Sequence, residues 1–382
     1  MRIGIQARFL RKPDTGIGQV TLAFVEELAQ LPFASEHHVI LFVEEMPTLS
    51  FALPPHWEIR VVTTWYRRDD LIREHLYERF SIPRALRRAG CEVFLSLYQA
   101  ATVLPQSVRH VMLVHDLAPL YFPEYLGNWR KKWHYRKVIQ GILKATQIVT
   151  ISESTAKDIY KWLAIPVERV IVAALGVRKQ FNQEPDTSEI ASVLNRYDLK
   201  PGEYLYHGGG LEIRKNTARL LRAYASLIPR LGKSLPPLVI SGKVHAESNP
   251  LATPVHTIVA QLEIASRVRI LGFVPEEDLS SLYSGAQAFL YPSLFEGFGL
   301  PIVEAFSRGT PVLTSQGGAT EEVAAGAACL VDPMSEESLA QGIERLVREE
   351  NYRIELAHAG RKRSEIFSWI QFTETVAKFL VQ

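Results

Sequence analysis

Short apolar, β-branched runs recur along this chain with helical stretches between them, and the pattern begins twice. The first series is Ile3-Gly4-Ile5, Val39 to Val43, Val93 to Ser96, Val111 to Val114, Gln147 to Thr150 and Val170 to Val172, with helical segments such as Val20 to Leu31 and Tyr125 to Ala145 between. After a polar stretch from Arg178 to about Leu199, a second series follows: Tyr204-Leu205-Tyr206, Leu238 to Ser241, Val268 to Leu271, Ala288 to Tyr291 and Pro311 to Thr314. Alternation of this kind predicts parallel sheets with helices on both faces. At 382 residues the chain is too long for one core, and two domains of roughly 180 residues are expected. The fold class is therefore α/β, with two doubly wound domains facing a cleft. Their bounds are 1–180 and 200–364, with a linker at 181–199 and a closing segment at 365–382 whose helix, Trp369 to Leu380, could pack on either domain.

Ligands in such sheets lie beyond the carboxyl ends of the strands, so the segments after the strands carry the chemistry. The segment from Ser293 to Ala305 holds two acids eight positions apart, Glu296 and Glu304, with Gly297, Gly299 and Pro301 between them. Pro301 reads as the first residue of a helix, where its missing N–H costs nothing. That places Glu304 in the first turn and Glu296 on the loop leading in. Free backbone donors and a positive dipole end suit a phosphate, and carboxylates suit sugar hydroxyls. A plain glycine-rich turn with a capping acid is the competing interpretation.

Three further clusters follow strands. His207-Gly208-Gly209-Gly210 leads to Arg214 and Lys215 at the start of the next helix, where positive charge opposes the dipole by about 0.3–1 kcal/mol. An anion between them would remove that penalty, so the cluster reads as a diphosphate clamp or as two exposed bases on a loop. His115-Asp116 directly follows the strand ending at Val114 and reads as a contact to a bound sugar or as a satisfied buried histidine. The segment Asp14 to Thr21 contains Gly16 and Gly18, but position 21 is Thr where a dinucleotide fingerprint needs Gly or Ala. Gly232-Lys233-Ser234 lacks the first glycine of a P-loop. No Asp-x-Asp and no His/Cys cluster with metal spacing occurs. The expectation is no metal and no cofactor, with Arg214, Lys215 and a helix N-terminus neutralising the leaving group.

Composition excludes little else. Net charge is +2, which gives no global pull toward nucleic acid, and no apolar run approaches the roughly 20 residues of a membrane span. Met1 to Ile5 reads as a strand instead of a signal peptide, and Cys91 and Cys329 form no disulfide framework. A cytoplasmic, reduced setting is expected. Residues 128–137 are basic and interleaved with aromatics, and Arg84, Arg87 and Arg88 add to this. Such a segment is a solvated helix face or a peripheral contact with the inner face of an anionic membrane.

Taken in order, these residues resemble the retaining glycosyltransferases of family four, which have the GT-B fold of two Rossmann-like domains. The resemblance covers nearly the whole chain: Gly16-Ile17-Gly18, His115-Asp116-Leu117, Ile148 to Ser154, Gly208 to Asn216, Ser241-Gly242-Lys243, Leu271 to Val274, Glu296 to Glu304, and Phe367-Ser368-Trp369. It implies a hexosyltransferase acting on a nucleotide-diphosphate sugar, with 1–180 as the acceptor-binding domain and 200–364 as the nucleotide-sugar-binding domain. Arg214 and Lys215 would hold the diphosphate, Glu296 the sugar hydroxyls and Glu304 the ribose. Backbone N–H groups of Phe298, Gly299 and Leu300 would assist at sugar and phosphate. Gly242, Lys243 and Phe273 would lie at the nucleobase, His115 near the donor sugar, and Gly16 and Gly18 near the phosphates. Many relatives carry an arginine six positions before the lysine, but here that position is Gly209, which with Gly210 would offer backbone alone. With Pro119, the His115 segment resembles bacterial polysaccharide mannosyltransferases, so GDP-mannose is the expected donor and a lipid-linked glycan of a surface polysaccharide the expected acceptor. Glucose on UDP or ADP, and rhamnose on dTDP, remain open. Competing functions on the same fold are a sugar-nucleotide epimerase or hydrolase and a non-catalytic sugar-nucleotide-binding subunit.

Overall fold

The computed structural model describes residues 1–66, 69–181, 183, 186–244 and 249–382. The chain divides into two compact units, Met1–Gly176 with Ser368–Gln382, and Val177–Phe367.

The first unit is built on seven strands: β1 (Arg2–Gln6), β2 (His38–Val43), β3 (Glu58–Val61), β4 (Val93–Ser96), β5 (Arg109–Val114), β6 (Gln147–Thr150) and β7 (Val170–Val172). Their order is β3-β2-β1-β4-β5-β6-β7, and every pairing is parallel. Ile3 pairs with Val39 on one side and Val93 on the other, so the strand order reverses direction between β1 and β4. The second unit repeats this plan with β8 (Leu205–His207), β9 (Leu238–Ser241), β10 (Val268–Gly272), β11 (Ala288–Tyr291), β12 (Val312–Ser315) and β13 (Cys329–Val331). Its order is β10-β9-β8-β11-β12-β13, again all parallel, with the reversal between β8 and β11.

Central strands such as Val39 to Val43 and Ala288 to Tyr291 are buried throughout, because helices cover both faces of a parallel sheet. β3 and β13 have no counterpart in the sequence reading. β3 reads Glu-Ile-Arg-Val and is half exposed at the sheet edge, and β13 is three residues long. An edge strand with one open side does not require a continuous apolar run.

The expected linker at 181–199 is corrected: it belongs to the second unit. Residues 182, 184 and 185 of it lie outside the described residues. The remainder carries a helix, Thr187–Arg196, capped by Asp186, whose carboxylate accepts from the Ser188 N–H at 2.9 Å. Val193 and Leu194 are buried, and Leu194 packs over Gly285, where any Cβ would come within 2.5 Å of it. One apolar stripe on an otherwise polar segment is enough to dock it. The closing helix, Trp369–Val381, belongs to the first unit and packs on the helix Gly16–Gln30, with the Phe372 and Phe24 rings 6.1 Å apart.

Candidate active site

In an open α/β sheet, ligands bind where the strand order reverses. In the second unit that point lies between β8 and β11, and the loops leaving these two strands carry Lys215 and Glu296. After β8 the chain turns through Gly209 and Gly210, both in the positive-φ region (91° and 105°) that favours glycine. It then forms a short 3₁₀ turn, Ile213–Lys215, and passes through Asn216 into the helix Thr217–Leu231. Arg214 and Lys215 therefore precede the helix instead of opening it. The two loops are tied together: the Leu294 N–H donates to the Arg214 carbonyl at 2.7 Å, and Asn216 Nδ2 donates to Pro292 O at 3.1 Å. His207 is structural, with Nδ1 donating to Leu290 O at 2.7 Å and Nε2 accepting from Thr217 at 2.8 Å.

Glu296 is the counter-ion of the basic pair. Lys215 Nζ lies 2.7 Å from Glu296 Oε1, and Arg214 Nη1 lies 2.6 Å from Oε2. Tyr291, at the end of β11, accepts from Lys215 at 2.6 Å and donates to Glu296 Oε1 at 2.9 Å. Arg214 also reaches Glu212, with Nε at 2.9 Å. Burial opposes the charge on both Lys215 and Glu296. It lowers the Lys215 ammonium to about 8 against the pull of Glu296. It does not prevail at Glu296, which Lys215 and Arg214 together hold down to about 2. The reason is a mismatch in number: the carboxylate answers two cations, while Lys215 shares its one carboxylate with Arg214. The anion expected between Arg214 and Lys215 is thus present in the chain itself.

The helix after Glu296 differs from the sequence expectation. It runs Leu300–Ser307 with Pro301 as its second residue, and no acid stands in its first turn. Gly299 before it has φ 115°, and no side chain caps the helix start. Glu304 lies one turn deeper and is buried. Its Oε1 meets Arg178 Nε at 2.7 Å and its Oε2 accepts from Tyr283 at 3.3 Å. Arg178 also pairs with Glu276, with Nη1 at 3.0 Å. Sequence reading missed both Arg178 and Tyr291. Arg178 lies six residues beyond the end of the edge strand β7, at the start of the polar stretch, and Tyr291 lies inside an apolar run, where only its place as the last residue of the strand marked it.

The other residues expected at this site are dispersed around it. Gly242, at φ 142°, comes so close to Gly210 that a Cβ would lie 3.1 Å from the Gly210 Cα. The two loops therefore run side by side. Lys243 is exposed and the Phe273 ring is 69% exposed. Phe298 is buried edge-on against Phe367, with centroids 5.5 Å apart.

In the first unit, His115 follows β5 and is buried, which lowers its pKa; its Nε2 donates to Leu97 O at 2.9 Å. The ring is then neutral with Nδ1 as an acceptor. Gly16 and Gly18 open the helix Gly16–Gln30, whose Thr15 cap accepts from the Gly18 N–H at 3.1 Å. A Cβ on Gly18 would lie 1.9 Å from Lys12 O, whereas a Cβ on Gly16 would meet nothing within 4 Å. Residues 128–137 fall on the helix Trp129–Lys144 and its Asn128 cap, with Trp129 75% and Trp133 40% exposed. Among the described residues no helix is long and apolar enough to cross a membrane, and no group of three His, Cys, Asp or Glu side chains is placed to hold a metal ion.

Comparison with known proteins agrees with this geometry. The sequence pattern of the glycosyl transferases group 1 matches residues 198–363, and that of glycosyltransferase family 4 matches residues 15–181. The chain is 28% identical to the O-antigen chain mannosyltransferase B of Escherichia coli over 378 residues, 97% of this chain and 96% of that one. It is 30% identical to the serotype-specific mannosyltransferase WbdA of Escherichia coli over 263 residues, covering 68% of this chain and 32% of that much longer protein. The crystal structure of WaaG, a glycosyltransferase involved in lipopolysaccharide biosynthesis, superimposes with a TM-score of 0.77 at 18% identity, over 100% of this chain and 99% of that one. Two parallel sheets of the same winding, the loops at the reversal of the second, and family matches across both units establish that the chain belongs to the group 1 glycosyltransferases of GT-B fold.

Proposed function

We propose that this glycosyltransferase moves mannose from GDP-mannose, with retention of configuration, onto a lipid-linked glycan of a surface polysaccharide. The observation that carries the proposal is the Lys215–Glu296–Arg214 arrangement at the reversal of the second sheet. The names of the relatives favour mannose as the sugar.

In this reading the donor diphosphate takes over Lys215 and Arg214, and Glu296, released from the pair, turns to the sugar hydroxyls. As the bond from sugar to phosphate loosens toward an oxocarbenium-like state, charge grows on the leaving diphosphate. The buried Lys215 ammonium and the half-buried Arg214 guanidinium stabilise that growing charge, with the uncapped helix start at Leu300 assisting. No metal ion is needed for this neutralisation. The acceptor hydroxyl attacks from the face the diphosphate leaves, and the leaving phosphate takes its proton. His115, neutral and with Nδ1 free to accept, would hold a hydroxyl of the donor sugar. Glu304 would bind the ribose, which requires it to share its carboxylate with Arg178. Transfer would take place at the cytoplasmic face of the membrane, with the exposed Trp129 and Trp133 side chains at the lipid surface.

The test is a thermal-shift comparison of GDP, UDP, ADP and dTDP, since a nucleotide at 100 times its Kd adds about 2.7 kcal/mol. It is followed by incubation of the chosen sugar nucleotide with and without a glycan acceptor. The expected result is a shift with GDP and an α-mannosyl product that forms only when acceptor is present. A free sugar or epimer released from donor alone would replace this reading with the hydrolase or epimerase.

A further inference from the structure

We infer that Arg178 is a positioning residue of the nucleotide site, and that through Glu304 it makes the site select a ribose over a 2′-deoxyribose. The donor class is then a ribonucleoside diphosphate sugar, with dTDP sugars excluded. This rests on Glu304 as the ribose acid, the reading given above, and goes beyond it by naming what aims that acid and which donors it admits.

Glu304 projects from the helix Leu300–Ser307, and its side chain is 4% exposed. So little of the carboxylate can meet a ligand that its orientation decides which edge is offered. Two donors set that orientation. Arg178 Nε donates to Oε1 at 2.7 Å, and the Tyr283 hydroxyl donates to Oε2 at 3.3 Å. A carboxylate has about four lone-pair positions, two on each oxygen. These donors take one position on each oxygen and leave one on each. Two acceptors joined through one carbon match two adjacent hydroxyls, which ribose carries at its 2′ and 3′ carbons and 2′-deoxyribose does not.

The two donors are themselves held against one ring. The Arg178 guanidinium lies over Phe181, with Cζ 5.0 Å from the ring centroid, and the Tyr283 ring meets Phe181 edge-on at 5.8 Å. Phe181 is fully buried, and its carbonyl accepts from the buried Arg308 guanidinium. The other arm of the Arg178 guanidinium, Nη1, reaches Glu276 at 3.0 Å, and Gln180 Nε2 donates to the Glu276 carbonyl at 2.8 Å. Glu276 opens the helix Glu276–Gly285, three residues after Phe273 in the loop leaving β10. Arg178 therefore joins the ribose acid to the far end of the loop expected at the nucleobase. A guanidinium can do this because its donors diverge in a fixed plane. A lysine ammonium is a point charge on a flexible stem and cannot hold both acids in one geometry. A buried polar group aimed at a hydroxyl is left unpaired when the hydroxyl is missing, and that loss is what discriminates. Were Arg178 present only to neutralise Glu304, any cation would serve and the pentose of the nucleotide would not matter.

The probes are GDP and 2′-deoxy-GDP, or the two uridine counterparts should UDP bind the wild-type chain more tightly, titrated calorimetrically into the full chain. Wild type should bind the ribonucleotide at least about tenfold tighter. Arg178→Lys, which keeps a positive charge beside Glu304, should weaken the ribonucleotide and leave the deoxynucleotide nearly unchanged, so that the preference falls to about threefold or less. Tyr283→Phe, which removes one hydroxyl and keeps the ring packed, should lower the preference by a smaller factor. Thermal unfolding reports whether each variant is folded, and Tyr283→Phe carries the test where Arg178→Lys does not fold. A change that merely loosened the fold would weaken both nucleotides alike and leave their ratio where it was. That result, with a wild-type preference of tenfold or more, would overturn the role of Arg178 while leaving Glu304 at the ribose. A wild-type ratio near one would remove Glu304 from the ribose and this inference with it.

Discussion

Arg178 Nε lies 2.7 Å from Glu304 Oε1, joining the second residue of the second unit to the second acid of the Glu296 to Glu304 segment. Both side chains are largely buried, at 12% and 4% exposure. Burial works against the Arg178 charge, and Glu304 outweighs it, so the guanidinium pKa is raised. Removing one partner of such a pair leaves an uncompensated charge and costs about 3–5 kcal/mol, whereas replacing both with apolar groups is nearly neutral. Arg178→Met should therefore lower the urea midpoint strongly, and Arg178→Met with Glu304→Leu should recover most of the loss. The double variant should still bind GDP at least tenfold more weakly, because the proposed ribose contact would be gone. Recovery of both properties together would mean that Glu304 serves the fold alone.

Lys215→Ala should reduce kcat by about 100- to 1,000-fold, the range found when one preorganised donor to a developing anion is removed. The KM for donor should change much less, since the partner charge is largest in the transition state. Steady-state kinetics with varied sugar nucleotide measures both. A rise in KM at constant kcat would show that Lys215 binds ground and transition states equally.

The Lys215 pKa, about 8, makes activity and stability move in opposite directions with pH. In the proposed mechanism the charged form neutralises the diphosphate, so kcat/KM for donor, which reports the free enzyme, should be level below about pH 8 and fall above it. The unfolded lysine titrates near 10.4, so between about pH 8 and 10.4 the unfolded chain binds the extra proton and stability from this group rises with pH. A donor kcat/KM that stays level to pH 10 would contradict the assignment.

Gly16 and Gly18 should behave as opposites. Gly18→Ala drives a Cβ into the Lys12 carbonyl at 1.9 Å and should lower the melting temperature. Gly16→Ala meets nothing within 4 Å, so the melting temperature should hold or rise. If a ligand approaches the backbone at Gly16, donor kcat/KM should nevertheless fall at least tenfold in that variant. Unchanged kinetics would remove Gly16 from the donor site.

Activity should survive extended treatment with a chelator. In the proposed reaction Arg214 and Lys215 would supply the positive charge for the leaving diphosphate that a divalent ion supplies in a metal-dependent transferase. Loss of transfer on chelation, restored by Mg²⁺ or Mn²⁺, would refute this.

The parts of the fold that could be read from sequence were those where burial leaves no freedom. Central strands covered on both faces must be continuously apolar, so β2, β9 and β11 stood out. β3, half exposed at the sheet edge, carries no such requirement, and β13, though apolar, is only three residues long; both were missed. The helix Thr187–Arg196 hid in a polar stretch because one stripe of apolar residues was enough to dock it. At the site, Lys215 and Glu296 were legible because glycines and charges cluster directly after strands. Their contact was not, since sequence spacing says nothing about loops from β8 and β11 lying side by side. Arg178 follows β7, but nothing local pointed to its partner, which is 126 residues away.

The internal salt bridge of Glu296 has a consequence for what the empty enzyme ignores. A carboxylate tethered beside Lys215 and Arg214 competes with incoming anions at an effective concentration on the order of millimolar or more. Inorganic phosphate, which brings only its charge, must displace that carboxylate with nothing to recover the loss. Under the proposed function a sugar nucleotide would bring its own hydroxyls for the displaced Glu296 to hold, so the residue that closes the clamp to small anions would reward a ligand able to re-employ it. If the proposed donor site is right, admission would depend on carrying a diphosphate and a sugar together.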